Sequence, residues 1–159
     1  PFWFKRPSRR RQEEALAQFT MVEGSVDLAA VENAFAAYVA AFNAGDLAAV
    51  RDALHEDVEV HVEGAEGPAA AGRATILPSY EADFALGKQV CVVRGPVVRL
   101  ADRTPGAAAV VEVTLRAETP PPSDSGDGAA PQRTQLDVLY HYNAELQQVR
   151  HDISNISNL

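Results

Sequence analysis

The chain has 159 residues, 47% of them hydrophobic, which suits one domain with a single core plus extensions and is too short for two full domains. Its formal net charge of -8 speaks against a nucleic-acid groove, whose affinity comes from clustered Lys and Arg. The single cysteine, Cys91, excludes an intrachain disulfide and a cysteine-built metal site, and it reads as a buried strand residue. No apolar run approaches the roughly 20 residues that span a bilayer, and the start lacks the apolar core of a secretory signal. A soluble, intracellular protein is therefore expected.

Residues 1–24 read as an aromatic and basic extension, and two readings of it stand. One is an unstructured tail. The other is a docking arm, with Phe2, Trp3 and Phe4 as anchors and Arg6, Arg9, Arg10 and Arg11 facing an acidic partner. Residue 1 is not Met, so it reads as a boundary, and the Arg-rich start also fits the remnant of an organelle presequence, although Glu13 and Glu14 follow closely.

The domain proper is expected over 25–159. From Ser25 as N-cap, Val31, Phe35, Tyr38 and Phe42 recur at helical spacing, and Gly45 stops the helix. Asp46 caps a second helix to about His55, with Leu47, Val50 and Leu54 on its inner side. Residues 57–63 alternate as a half-buried strand, and a third helix is expected from near Thr75, with Pro78 in its first turn, to Gly87. Strands follow over 89–100, with a bulge or bend at Gly95-Pro96, over 109–117, over 134–142 and over 146–156. A Pro/Ser/Gly loop insertion occupies 119–132. Helices followed by an antiparallel meander give an α+β order without βαβ alternation.

Strand alternation predicts an inward set of Val58, Val60, Val62, Val111, Val113, Leu115, Leu136, Val138, Tyr140, Tyr142, Val149, His151 and Ile153. These face Phe35, Tyr38, Phe42, Tyr80 and Phe84 from the helices. The set holds no carboxylate, and its polar members are hydrogen-bond donors suited to a ligand oxygen. Glu59, His61, Glu112, Arg116, Asp137, His141, Arg150 and Asp152 take the opposite phase, read as a solvated or subunit-contacting face. The four histidines fall on separate elements without HxxxH or HExxH spacing, so no metal is expected. There is no Gly-rich phosphate loop, and neither Ser79 nor Ser154 sits in a nucleophile elbow, so no cofactor and no nucleophilic catalysis are expected.

The segment from Tyr38 to Tyr80, with its Asn43-Ala-Gly-Asp46 turn, Glu56-Asp57 strand entry and Gly72-Arg73, resembles the ketosteroid isomerase branch of the NTF2-like (SnoaL-like) superfamily. Arg94-Gly95-Pro96-Val97 and Leu136-Asp137-Val138 continue the likeness, which extends from Val26 to Ile156. The resemblance implies a cone of about three N-terminal helices packed on a curved, mostly antiparallel sheet around an apolar pocket. It also implies that Tyr38 is the helix-one tyrosine that donates to the steroid oxygen, with Tyr80 supporting it. Leu54 replaces a further tyrosine of some members, and Tyr140 stands where the family keeps a protonated carboxylic acid as second donor. For the family's proton-abstracting aspartate, counting from Tyr38 gives Val62 and counting back from Gly72 gives Glu63. Alternation favours Val62 as the inward residue, and a bulge at Gly64 would be needed to turn Glu63 inward.

Three functions follow. The missing base and the aromatic-basic arm lead to a non-catalytic interaction or assembly subunit, joined to protein partners or to a second copy through the arm and sheet face. The alternative is an isomerase, cyclase or dehydratase acting on a small apolar carbonyl compound, with Glu63 as base and Tyr38 and Tyr140 holding the enolate oxygen. The third is passive binding of a small apolar ligand among Tyr38, Tyr80, Tyr140, Tyr142, His151, Phe35, Phe42 and Val62.

Overall fold

The computed structural model describes residues 26–124 and 129–159, so the arm formed by Phe2, Trp3, Phe4, Arg6, Arg9, Arg10 and Arg11 lies outside the described residues. Helix α1 spans Leu28–Ala44, α2 Leu47–Ala53 and α3 Arg73–Ala85. The strands are β1 Leu54–Val62, β2 Ala70–Ala71, β3 Gln89–Leu100, β4 Ala109–Thr119, β5 Gln132–Tyr142 and β6 Gln148–Asn158. They form one sheet in the order β2-β1-β6-β5-β4-β3, antiparallel except for the parallel β1–β6 pair. The expected α+β cone is the observed architecture.

Asp27 caps α1, its carboxylate accepting the Ala29 N–H at 2.9 Å, while the expected cap Ser25 lies outside the described residues. The stripe of Val31, Phe35, Tyr38 and Phe42 is buried against the sheet. Burying side chains of this size stabilises the fold by about 1.5–3 kcal/mol each. Gly45 ends α1 at φ 67°, a left-handed conformation that costs glycine nothing sterically, and its N–H returns to the carbonyls of Ala41 and Phe42. Asp46 then caps α2 by accepting the Ala49 N–H at 3.0 Å. The sharp turn joins α1 to α2, and residues of α1 and α3 line the same cavity.

Several boundaries differ from expectation. Helix α2 stops at Ala53, and β1 begins at Leu54, because Leu54 and Val58 are apolar positions that the sheet buries completely. Helix α3 starts at Arg73, which places Pro78 inside the helix rather than in its first turn. Cys91 is exposed, since β3 is an edge strand whose near end is little covered. The bend at Gly95-Pro96 is present as register shifts between β3 and β4 on both sides of Arg94.

In β6 a shift between His141 and Tyr142 sets Gln148 opposite Tyr142. Gln148, fully buried, thereby takes the inward place expected of Val149. On the outer face His141 is buried rather than solvated, held at 2.8 Å from Asp152, which also receives Arg150 at 2.7 Å.

Candidate active site

The inner face of the sheet and the two longer helices enclose a cavity of about 320 Å³. Its wall is mainly apolar: Phe42 and Ile76 from the helices, and Val60, Val90, Leu115, Leu136, Val138 and Ile153 from the strands. Period-2 alternation explains the strand contributions, and the i, i+4 spacing of Tyr38 and Phe42 explains that of α1.

Into this apolar space the fold brings a small set of polar groups. The Tyr38 and Tyr80 hydroxyls lie 2.7 Å apart, joining α1 to α3. Tyr140 packs edge-on to Tyr38 at 5.6 Å between ring centres, and His151 packs edge-on to Tyr140 at 4.7 Å. Behind them Phe35 supports Tyr140 at 5.4 Å. Gln148 spans two groups, donating from Nε2 to the Tyr142 hydroxyl and facing His151 Nε2 with Oε1, both at 2.8 Å.

Burial governs the protonation of this set. It pushes the Tyr38 phenol well above its ordinary value of 10.0, with Tyr80 and Tyr140 adding to the rise. Burial likewise pushes Tyr80 up to about 12 and raises Tyr140 and Tyr142. The same desolvation, helped by His141, pushes His151 down from 6.5 to about 3. All four phenols are thus neutral donors at neutral pH, and the imidazole is uncharged.

Tyr38, Phe42, Tyr80, Tyr140 and His151, predicted from the sequence, converge on the wall. Phe35 and Tyr142 are buried behind it. Neither Val62 nor Glu63 reaches it. Val60 is the β1 residue that does, whereas Glu63 is exposed and accepts the Asn155 N–H at 3.2 Å. Sequence reasoning missed four polar residues of the site. Ser79 and Asp83 join Tyr80 on the cavity side of α3, and Lys88 reaches back to Asp83 at 2.7 Å, so the cavity does hold a carboxylate, neutralised by an ammonium. The i, i+4 relation of Ser79 to Asp83 was a legible signal for one shared helix face. Gln148, the fourth, depended on a bulge with no local sequence mark.

A profile of the SnoaL-like domain matches residues 35–144. The chain belongs to the SnoaL-like family. Among solved structures, the fold is similar to that of SalBIII, an epoxide hydrolase/cyclase-like enzyme described in pyran ring formation in the polyether salinomycin. That match has a TM-score of 0.63 and 15% identity, and covers 84% of this chain and 98% of that one. A ketosteroid isomerase-like protein from Erwinia carotovora atroseptica SCRI1043 matches with a TM-score of 0.53 and 24% identity, covering 82% of this chain and 96% of that one. A protein of unknown function with a cystatin-like fold from Methylobium petroleophilum PM1 matches with a TM-score of 0.54 and 14% identity, covering 82% and 78%. No curated protein matches the chain. These likenesses support the NTF2-like fold read from the sequence. Among the described residues no helix is long and apolar enough to cross a membrane, and no group of three metal-ligating side chains gathers.

Proposed function

We propose that this SnoaL-like protein is an enzyme of the isomerase, cyclase or dehydratase type, acting on a small apolar compound whose oxygen is held by Tyr38 and Tyr80. The observation that carries this reading is the 2.7 Å hydroxyl pair set in an apolar cavity. One O–H···O bond uses one of the two phenolic protons, which leaves the other to donate to a ligand oxygen. Tyr140, edge-on to Tyr38, supports the same end of the cavity. Donors placed in a space that excludes water are worth more to a developing oxyanion than to a ground-state carbonyl. Two of the fold neighbours are described as a cyclase-like and an isomerase-like protein, and this favours the enzyme over the non-catalytic assembly subunit.

The test is a fluorescence titration with 2-naphthol, an apolar probe with one oxygen. Wild type should bind it, and Tyr38→Phe should bind about tenfold more weakly, the worth of one hydrogen bond. Equal affinity in the two proteins would count against an oxygen site at this pair. A partner-binding role has its own support in Val93, Val97 and Leu100, which are exposed on the edge strand β3.

A further inference from the structure

The proposed chemistry needs a group that takes a proton, and neither β1 candidate stands at the cavity wall. The opposite wall supplies one. His151 projects from β6 into the cavity and is only 4% exposed. Its Nε2 meets Oε1 of Gln148, whose amide nitrogen is already committed to the Tyr142 hydroxyl. In this amide orientation the oxygen only accepts, so Nε2 carries the ring proton and Nδ1 holds a lone pair. No described residue donates to Nδ1. It is also not among the shut-in unpartnered side-chain nitrogens of the described residues, which are Arg116 Nε and His141 Nδ1, so it meets the open space of the cavity.

We infer that His151 Nδ1 is the proton-accepting atom of the site and that Gln148 is its positioning residue, the proton coming from a C–H beside the oxygen-bearing carbon of the substrate. This rests on the proposed function and adds the base to it. In the step, the C–H bond breaks and an Nδ1–H bond forms. The C–H electron pair becomes the C=C bond of an enolate, and the carbonyl π pair moves to the oxygen that the Tyr38–Tyr80 pair holds. Where a ketone substrate also carries a β,γ C=C bond the anion is a dienolate, and transfer of the proton from Nδ1 to its γ carbon re-forms the carbonyl, shifts the C=C bond and completes an isomerisation with no further reactant. Where the substrate carries a β-hydroxyl, that group leaves with the proton as water and the product is an enone.

The surroundings suit an uncharged base that charges only in partnership with the enolate. From β5 the ring faces the neutral phenol of Tyr140, with that of Tyr142 beyond Gln148, and the cavity wall also carries those of Tyr38 and Tyr80. Asp83 and Lys88 on the wall neutralise each other, and His141 and Asp152 lie on the far side of the sheet. Desolvation keeps the imidazole unprotonated well below neutral pH.

The experiment follows deuterium uptake at the α carbons of β-tetralone by NMR in D2O, alongside 2-naphthol binding. Wild type should accelerate exchange, with a rate that stays flat from about pH 5 to about pH 8 once solvent exchange is subtracted, because the base is unprotonated throughout. His151→Gln should lose at least about 100-fold in exchange, far more than any change in its naphthol affinity. Gln148→Met should fall between the two and lose the fixed tautomer. Undiminished exchange in His151→Gln overturns the assignment. Wild type that binds naphthol through Tyr38 without exchanging β-tetralone also overturns it and leaves the oxygen site standing. Failure to bind naphthol at all removes the proposed function as well. Should His151→Gln not fold, the imidazole 15N shifts of wild type decide: a protonated Nε2 beside a bare Nδ1 supports the inference, and the opposite tautomer or an imidazolium overturns it.

Discussion

The hydroxyls of Tyr38 and Tyr80, 42 residues apart in the chain, meet at 2.7 Å inside the cavity. This contact ties α1 to α3 as well as preparing an oxygen site, so it carries a structural consequence that needs no substrate. Tyr38→Phe or Tyr80→Phe leaves the other buried hydroxyl unpaired and should cost about 1–3 kcal/mol of stability. The double variant should cost clearly less than the two single losses combined, since no orphan then remains. Urea unfolding of the four proteins measures this coupling, and strict additivity would show that the contact is energetically idle.

Alkaline titration should show buried phenols. Tyr80 ionises at about 12 in the folded protein against 10.0 in the free side chain, and Tyr38 lies well above 10.0. Because the folded values are raised, their contribution to stability is fully present below pH 10 and is lost as pH climbs toward the folded values. The phenolate absorbance should therefore lag a free tyrosine titration and rise together with unfolding.

Acid acts through the histidines with the opposite sign. His151 is depressed from 6.5 to about 3 and His141 is also lowered, chiefly by burial, so the unfolded chain binds protons that the folded one refuses. The stability they contribute is present above pH 6.5 and falls as pH drops toward about 3. The urea midpoint should decline over that window, and His151→Gln should flatten the decline.

At the bend in β3, Gly95 has φ 89°, and a Cβ there would stand 2.8 Å from the Glu112 carbonyl oxygen. Gly95→Ala should destabilise by about 1–3 kcal/mol, combining a left-handed backbone with a clash that backbone atoms relieve poorly. Thermal unfolding tests this. Gly64→Ala is the control, because its Cβ would meet nothing within 4 Å even though φ is 83°.

The helical stripe of Val31, Phe35, Tyr38 and Phe42 and the alternation of the strands made most of the fold legible, because both are local periodicities that follow from burying one face. The same alternation gives Tyr140 and His151 the inward phase, and both side chains line the cavity. It failed at Gln148 and Val149, where the register shift opposite Tyr142 exchanges inside for outside and is decided by a neighbouring strand. Asp83 and Lys88 were missed for a related reason. A carboxylate on a helix face and an ammonium in the following turn look like ordinary solvated charges until the tertiary fold sets them at the cavity. Glu63 shows the converse: one residue beyond the end of β1, its backbone N–H pairs with the Ile153 carbonyl while its carboxylate turns to Asn155.

The most direct test of the account is a crystal structure of the protein with 2-naphthol bound. The naphthol oxygen should sit about 2.7–2.8 Å from the Tyr38 or Tyr80 hydroxyl, with its rings against Leu115, Leu136 and Val138. A ligand whose oxygen points instead to Lys88 and Asp83, or one bound outside the cavity, would contradict it.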